Sequence, residues 1–174
     1  ITYRLAANKL YINQGDLVMT DVSAECGIDQ TIRRSYGACF GDYDNDGLLD
    51  LFIANYVSGQ DPPFNEFYRN LGSGNFEEVT FNFPMGEPLP QNFQGQWVDF
   101  DEDGLLDLNL IRDRLCFENK YYKQTEDGDF FNDAHGMGLD FAINAMCTAT
   151  TDFDRDNDQD LYISAGMFEG NHFV

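Results

Sequence analysis

The chain has 174 residues, a length that suits one domain of ordinary size with its own buried core. Ten Lys and Arg face 31 Asp and Glu, a formal net charge of -21, yet 43% of the residues are hydrophobic and 15% aromatic. Disordered acidic chains are poor in aromatic and β-branched residues, so this composition argues against disorder, and a field this negative disfavours phosphate backbones and anionic lipid head groups as partners. With 16 Phe, 9 Tyr and 16 Gly, the makeup is that of strands and turns, and an all-β fold is expected.

The first residue is Ile rather than Met, which suggests a processed or excised product, and ITYRLAANKLY lacks the basic and apolar regions of a signal peptide. No apolar run approaches the ~20 residues of a membrane-spanning helix, so no direct membrane insertion is expected. The segment 8–23, NKLYINQGDLVMTDVS, has the form strand, Gly-containing turn, strand, a hairpin signature. GDYDNDGLLDLFIAN follows at 41–55, where Leu51 and Ile53 alternate with Phe52 and Ala54 after an acidic loop. A Pro- and Gly-rich connector at 57–64 leads to a second hairpin, NEFYRNLGSGNFEEVT, at 65–80. After another such connector at 82–92, the order recurs with VDFDEDGLLDLNLIR at 98–112 and NKYYKQTEDGDFFNDA at 119–134. A third acidic segment, TDFDRDNDQDLYISA at 151–165, precedes the beginning of a fourth hairpin copy at Asn171-His172-Phe173.

The acidic segments begin their loops at Asp42, Asp99 and Asp152, and the hairpins begin at Asn8, Asn65 and Asn119. Both series have periods between 53 and 57 residues, so they belong to one repeating unit of about four strands. Such a unit predicts a β-propeller of four-stranded antiparallel blades, in which radial stacking protects strand edges. About three blade-equivalents are present: 1–35 as the outer hairpin of a first blade and a crossover, 36–81 as a second blade, 82–134 as a third and 135–174 as the start of a fourth. Propellers typically have 4 to 8 blades, so the chain is expected to be part of a larger ring.

The chemistry lies in the loops. Asp42, Asp44, Asp46 and Asp50 recur as Asp99, Asp101, Asp103 and Asp107, and again as Asp152, Asp154, Asp156 and Asp160. Carboxylates at alternate positions of a tight turn converge on one hard cation, and Ca²⁺ takes 6–8 such oxygens. The sixth position is Gly47, Gly104 and Asn157, residues that tolerate positive φ, and the seventh, Leu48, Leu105 and Asp158, would offer its backbone carbonyl. Arg155 lessens the charge of the third loop. An EF-hand needs a bidentate Glu at position 12, and here that position is Ile53, Leu110 and Ile163. Mg²⁺ prefers water-rich octahedral sites, and the loops offer no His or Cys for a transition metal. About three structural Ca²⁺ ions are therefore expected, since spaced carboxylates without a cation repel one another.

The alternation of N-x-x-Y-x-N…G-x-F-x-x-V-T with G-D-Y-D-N-D-G-x-x-D-L-x-x-A-N resembles the FG-GAP or VCBS repeat of integrin α-subunit-like propellers. The resemblance covers nearly the whole chain and departs at Asn157 and in the hairpin 119–134. It implies a seven-bladed ring, calcium in the loop between the first two strands of a blade, and an extracellular, secreted or cell-surface setting. It also implies a family that includes adhesion receptors, lectins and a few carbohydrate-active lyases or dehydratases.

The remaining residues add less. His135 and His172 are the only histidines, and no zinc pair, nucleophile elbow or phosphate-binding loop occurs, so no catalytic residue is assigned. Cys26, Cys39, Cys116 and Cys147 permit three pairings, and none is preferred. Phe40, Tyr43, Trp97, Phe100 and Phe153 flank the loops and are expected between blades rather than on a sugar-stacking surface. The reading is an extracellular, calcium-stabilised module for protein interaction, adhesion or structural assembly, whose partners are a protein or glycan and the remaining blades. The alternatives are a lectin-like propeller and part of a carbohydrate-active lyase or dehydratase.

Overall fold

A computed structural model describes residues 6–56, 64–80, 91–113, 115, 117–166 and 172–173. Most of the connectors 57–64 and 82–92, as well as Cys116, Asn171 and the side chain of His172, lie outside the described residues.

Thirteen strands form four antiparallel sheets among these residues. A ribbon pairs β1 (Tyr11–Asn13) with β2 (Met19–Asp21) around a turn closed by Gln14 and Val18. The second sheet runs β3 (Ser35–Gly41), β4 (Asp50–Asn55), β5 (Glu66–Asn70) and β6 (Phe76–Glu78). The third repeats it as β7 (Asn92–Val98), β8 (Asp107–Arg112), β9 (Lys120–Gln124) and β10 (Phe130–Asn132). The fourth joins β11 (Ala145–Thr151), β12 (Asp160–Ala165) and β13 (His172–Phe173). Each acidic segment thus becomes two adjacent strands and the loop between them, and each of the two described central hairpins becomes the outer pair of the same sheet.

The sheets stack face to face. β7 packs against β3 and β4, and β11 against β7 and β8. This stacking explains why every residue of β4 and β8 is buried: the alternate side chains leave in opposite directions and both directions are covered. Phe52, Ala54 and Phe67 meet Trp97, Leu108, Leu110, Tyr122 and Phe130 of the next sheet. Leu51, Ile53 and Tyr68 point the other way, onto Cys26 and Ile28 of the segment after the ribbon. Ile111 and Tyr121 meet Leu161 and Ile163 in the same manner. The aromatics beside the loops divide accordingly. Tyr43, Trp97 and Phe100 pack between sheets. Phe40 and Phe153 are 48% and 65% exposed.

The Asn that opens each hairpin is a buried latch. Asn65 Oδ1 accepts from the Asn55 amide at 3.1 Å, and Asn119 Oδ1 accepts from the Arg112 amide at 2.9 Å, so each closes the end of the preceding strand. Asn8 donates to Ser35 Oγ at 2.9 Å and ties the ribbon to β3. The inner strands share a bulge at one repeat position, where Tyr36, Phe93 and Met146 interrupt the registers of β3, β7 and β11. Cys26, Cys39 and Cys147 are free thiols, and burial pushes the Cys39 thiol up to about 12.

The two four-stranded sheets come into close contact at Gly95, where an added Cβ would lie 2.5 Å from the Phe52 ring. Phe52 is 1% exposed and has no free space into which to retreat. Gly95→Ala is expected to lower stability by about 1–3 kcal/mol through overpacking, read as a lower urea midpoint at unchanged slope. A midpoint equal to that of the unmodified chain would show that the sheets are not seated against each other in this way.

Candidate metal centres

The three acidic loops have one backbone design. Positions four and six are left-handed in each: Asn45 and Gly47 at φ 55° and 86°, Glu102 and Gly104 at 57° and 84°, Arg155 and Asn157 at 67° and 81°. Gly47 and Gly104 take this conformation without a Cβ penalty, and Asn157 takes it as the expected substitute. The left-handed fourth position carries no such mark in the sequence, since Asn, Glu and Arg occupy it.

Two backward turns of the chain bring its own amides onto the carboxylates. Asp42 accepts from the amides of Asp46 and Gly47 at 3.0 and 2.9 Å, and Asp99 from those of Asp103 and Gly104 at 3.1 and 2.9 Å. Asp152 accepts from Arg155 and Asn157 at 2.6 and 3.2 Å. The fifth-position acids cap the next bend: Asp46 accepts from the Leu48 amide, Asp103 from Leu105 and Asp156 from Asp158. These bonds use part of each carboxylate's capacity and leave lone pairs facing the loop centre.

The ninth-position acid binds the loop to the rest of its sheet. Asp50 is fully buried, accepts from the Asn70 amide at 2.8 Å and from the Tyr43 amide at 3.2 Å, and so joins both ends of the loop to β5. Asp107 accepts from the Gln124 amide at 2.8 Å and from the Tyr121 hydroxyl. Phe67 stands at the position of Tyr121 in the preceding repeat and has no hydroxyl to offer. Asp160 accepts from the Phe153 amide at 2.7 Å.

Carboxylate oxygens converge in all three loops. One oxygen each from Asp42, Asp44 and Asp50 lie within 4.8 Å of one another; the same holds for Asp99, Asp101 and Asp103 and for Asp152, Asp154 and Asp160. The remaining predicted carboxylates, Asp46, Asp107, Asp156 and Asp158, are held beside these clusters by the hydrogen bonds described above. Leu48, Leu105 and Asp158 follow the bend at the seventh position. Asp44 Oδ1 is buried and has no hydrogen-bond partner. All the converging atoms are hard oxygens, the donor set of a hard divalent cation, so the residues present fit such an ion.

Sequence reasoning missed the basic residues at the clusters. Arg69 Nε lies 2.9 Å from Asp44 Oδ2 and its Nη2 lies 3.6 Å from Asp46 Oδ2, while Lys123 pairs with Asp101. Their matching places in two hairpin copies were the available signal. The loops also touch one another, through a 3.3 Å hydrogen bond from Asn45 Nδ2 to the Gly104 carbonyl. His135, exposed in the segment before β11, pairs with Asp140 at 2.6 Å, and that hydrogen bond raises its pKa.

Comparison with known proteins bears directly on this geometry. A family model for the FG-GAP-like repeat matches residues 42–110, from the first acid of the first loop through β8. That stretch is similar to the FG-GAP-like repeat. Among curated relatives, cartilage acidic protein 1 of Xenopus tropicalis is 28% identical over 166 residues, covering 91% of this chain and 25% of the relative. Its counterpart in Homo sapiens is 26% identical over 179 residues, covering 94% of this chain and 26% of the relative. The chain thus spans about a quarter of the length of these relatives. The FG-GAP-like match takes in all of the first two acidic loops; the third lies outside it and shares their left-handed positions, but its first acid takes the amide of Arg155 in place of that of the fifth residue.

Crowding of charge leaves a signature in pH. Burial, reinforced by Asp44 and Asp46, pushes the Asp50 carboxyl from 3.8 up to about 6. Asp107 is raised for the same first reason, with its hydrogen bonds opposing. Between the unfolded and folded values the native state holds a proton that the unfolded chain has lost. Stability from this source is therefore complete below pH 3.8 and is lost as the pH rises through about 6. In EDTA, the chain is expected to melt roughly 2–3 °C higher at pH 5.5 than at pH 7.5, and excess calcium should remove or reverse that trend because ligands bind metal ionised. A melting temperature in EDTA that falls on acidification over this range would contradict the account.

Proposed function

We propose that the chain is a segment of an extracellular, calcium-stabilised β-propeller whose role is protein interaction or structural assembly. The observation that carries the reading is the repetition of one acidic loop, at one place, in three successive stacked sheets, each with three carboxylates converging within 4.8 Å. A single polar turn of this kind would carry little weight, but three in the same structural phase argue for a shared ligand. Calcium suits the all-oxygen donor set of these loops better than magnesium does.

In this reading Asp42, Asp44 and Asp50, Asp99, Asp101 and Asp103, and Asp152, Asp154 and Asp160 hold the ions, with the remaining loop acids and the carbonyls of Leu48, Leu105 and Asp158 as further ligands. A bound ion supplies the positive charge that the converging carboxylates lack. The chain's own part is to fix those oxygens through the amides of the loop and, at Asp50 and Asp107, through the third strand. Further blades would complete the ring. The name cartilage acidic protein 1, borne by the relatives, supports an extracellular assembly role, as does the acidity of the present chain. No helix among the described residues is long and apolar enough to cross a membrane.

Calcium stoichiometry and thermal unfolding, measured on one EDTA-treated sample before and after calcium is restored, test the reading. About three ions per chain and a rise in melting temperature of ~5 °C or more are expected, from mass-action coupling of binding to folding. Asp99→Asn should remove one ion. A chain that binds no calcium and melts at the same temperature in both conditions would overturn the proposal.

A further inference from the structure

Arg69 and Lys123 occupy the same place in successive repeats, four residues after the latch residues Asn65 and Asn119, at equivalent points on the third strand of their sheets. Both reach across their sheet to the third-position acid of the neighbouring loop, Asp44 or Asp101. Those two acids belong to the converging clusters. Arg69 also approaches Asp46, so its guanidinium spans two carboxylates, whereas the ammonium of Lys123 meets one.

The hairpin itself does not require a cation at this position. In the first hairpin copy Ile12 stands there, at the centre of β1. Both pairs remain partly open to water, so an entering ion can reach the carboxylates and displace the side chain.

We propose that Arg69 and Lys123 are tethered counter-ions of the first two acidic loops, which neutralise the carboxylates of the metal-free loop and compete with a divalent cation for them. The inference rests on the metal reading above. The tether lessens repulsion when calcium is scarce and weakens calcium binding, so each basic residue sets the affinity of the loop it faces. Arg69, with two partners in a planar fork, is the stronger competitor, and Lys123, a compact and strongly hydrated charge, the weaker.

Calorimetric titration of the whole chain with calcium, at fixed ionic strength, tests this on Arg69→Gln, Lys123→Gln and Arg69→Lys. Arg69→Gln is expected to tighten one site about three- to tenfold and Lys123→Gln another about two- to fivefold, the range that loss of one partly exposed ion pair plus relief of its repulsion of the ion allows. Both should melt lower than the parent in EDTA and together with it in saturating calcium, and Arg69→Lys should stay close to the parent. Calcium binding by the parent with unchanged or weakened affinity in Arg69→Gln would overturn the counter-ion role alone. A parent that binds no calcium would overturn the metal reading and this inference with it.

Discussion

Like charge held at short range is the constraint on which the rest of the structure depends. Each loop brings three carboxylates within 4.8 Å of one another, at the bend that sets the register of the two innermost strands of its sheet. Backbone amides offset part of the repulsion, two on Asp42 and two on Asp99, and the ninth-position acid carries the bend over to the third strand. A relaxed loop would release those amides and loosen the adjacent strand pair. The charge at the bend and the order of the sheet are coupled for that reason.

From the loops the coupling passes to the core. Every residue of β4 leaves a bend fixed by Asp50 and enters a layer covered on both sides, with Phe52 against Gly95 and Ile53 against the segment at Cys26 and Ile28. A slip of one residue would exchange the two faces and place Leu51 where Phe52 fits against a glycine. The latches at Asn65 and Asn119 close the far ends of the same strands. The inner pairs β3–β4 and β7–β8 are therefore pinned at one end by carboxylates and at the other by a buried amide, with apolar packing between.

Much of this was legible in the residues. The repeat period, the alternation at Leu51 to Ala54 and the apolar twelfth position at Ile53, Leu110 and Ile163 led to four-stranded units and excluded an EF-hand, and all three apolar residues are buried. Gly47, Gly104 and Asn157 marked the left-handed sixth position because residue type reports backbone strain there. The left-handed fourth position stayed hidden, since Glu102 and Arg155 bear no such mark. Asn65 and Asn119 were visible as the start of each hairpin, but their role as latches depends on a strand end brought near only by folding. The same holds for Arg69 and Lys123, whose partners lie more than twenty residues away in sequence. Asp107 accepts from the hydroxyl of Tyr121 where Asp50 accepts from the amide of Tyr43, a difference that no spacing rule reveals.

Hydrogen–deuterium exchange, with and without calcium, tests the central claim most directly, because it reads the loop amides individually. The account predicts that calcium slows exchange first at the amides of Asp46, Gly47, Asp103 and Gly104 and at their counterparts in the third loop, and next at Asn70 and Gln124, whose amides bond to Asp50 and Asp107. Exchange at these amides that is identical in calcium and in EDTA would contradict it, and so would protection confined to segments remote from the loops.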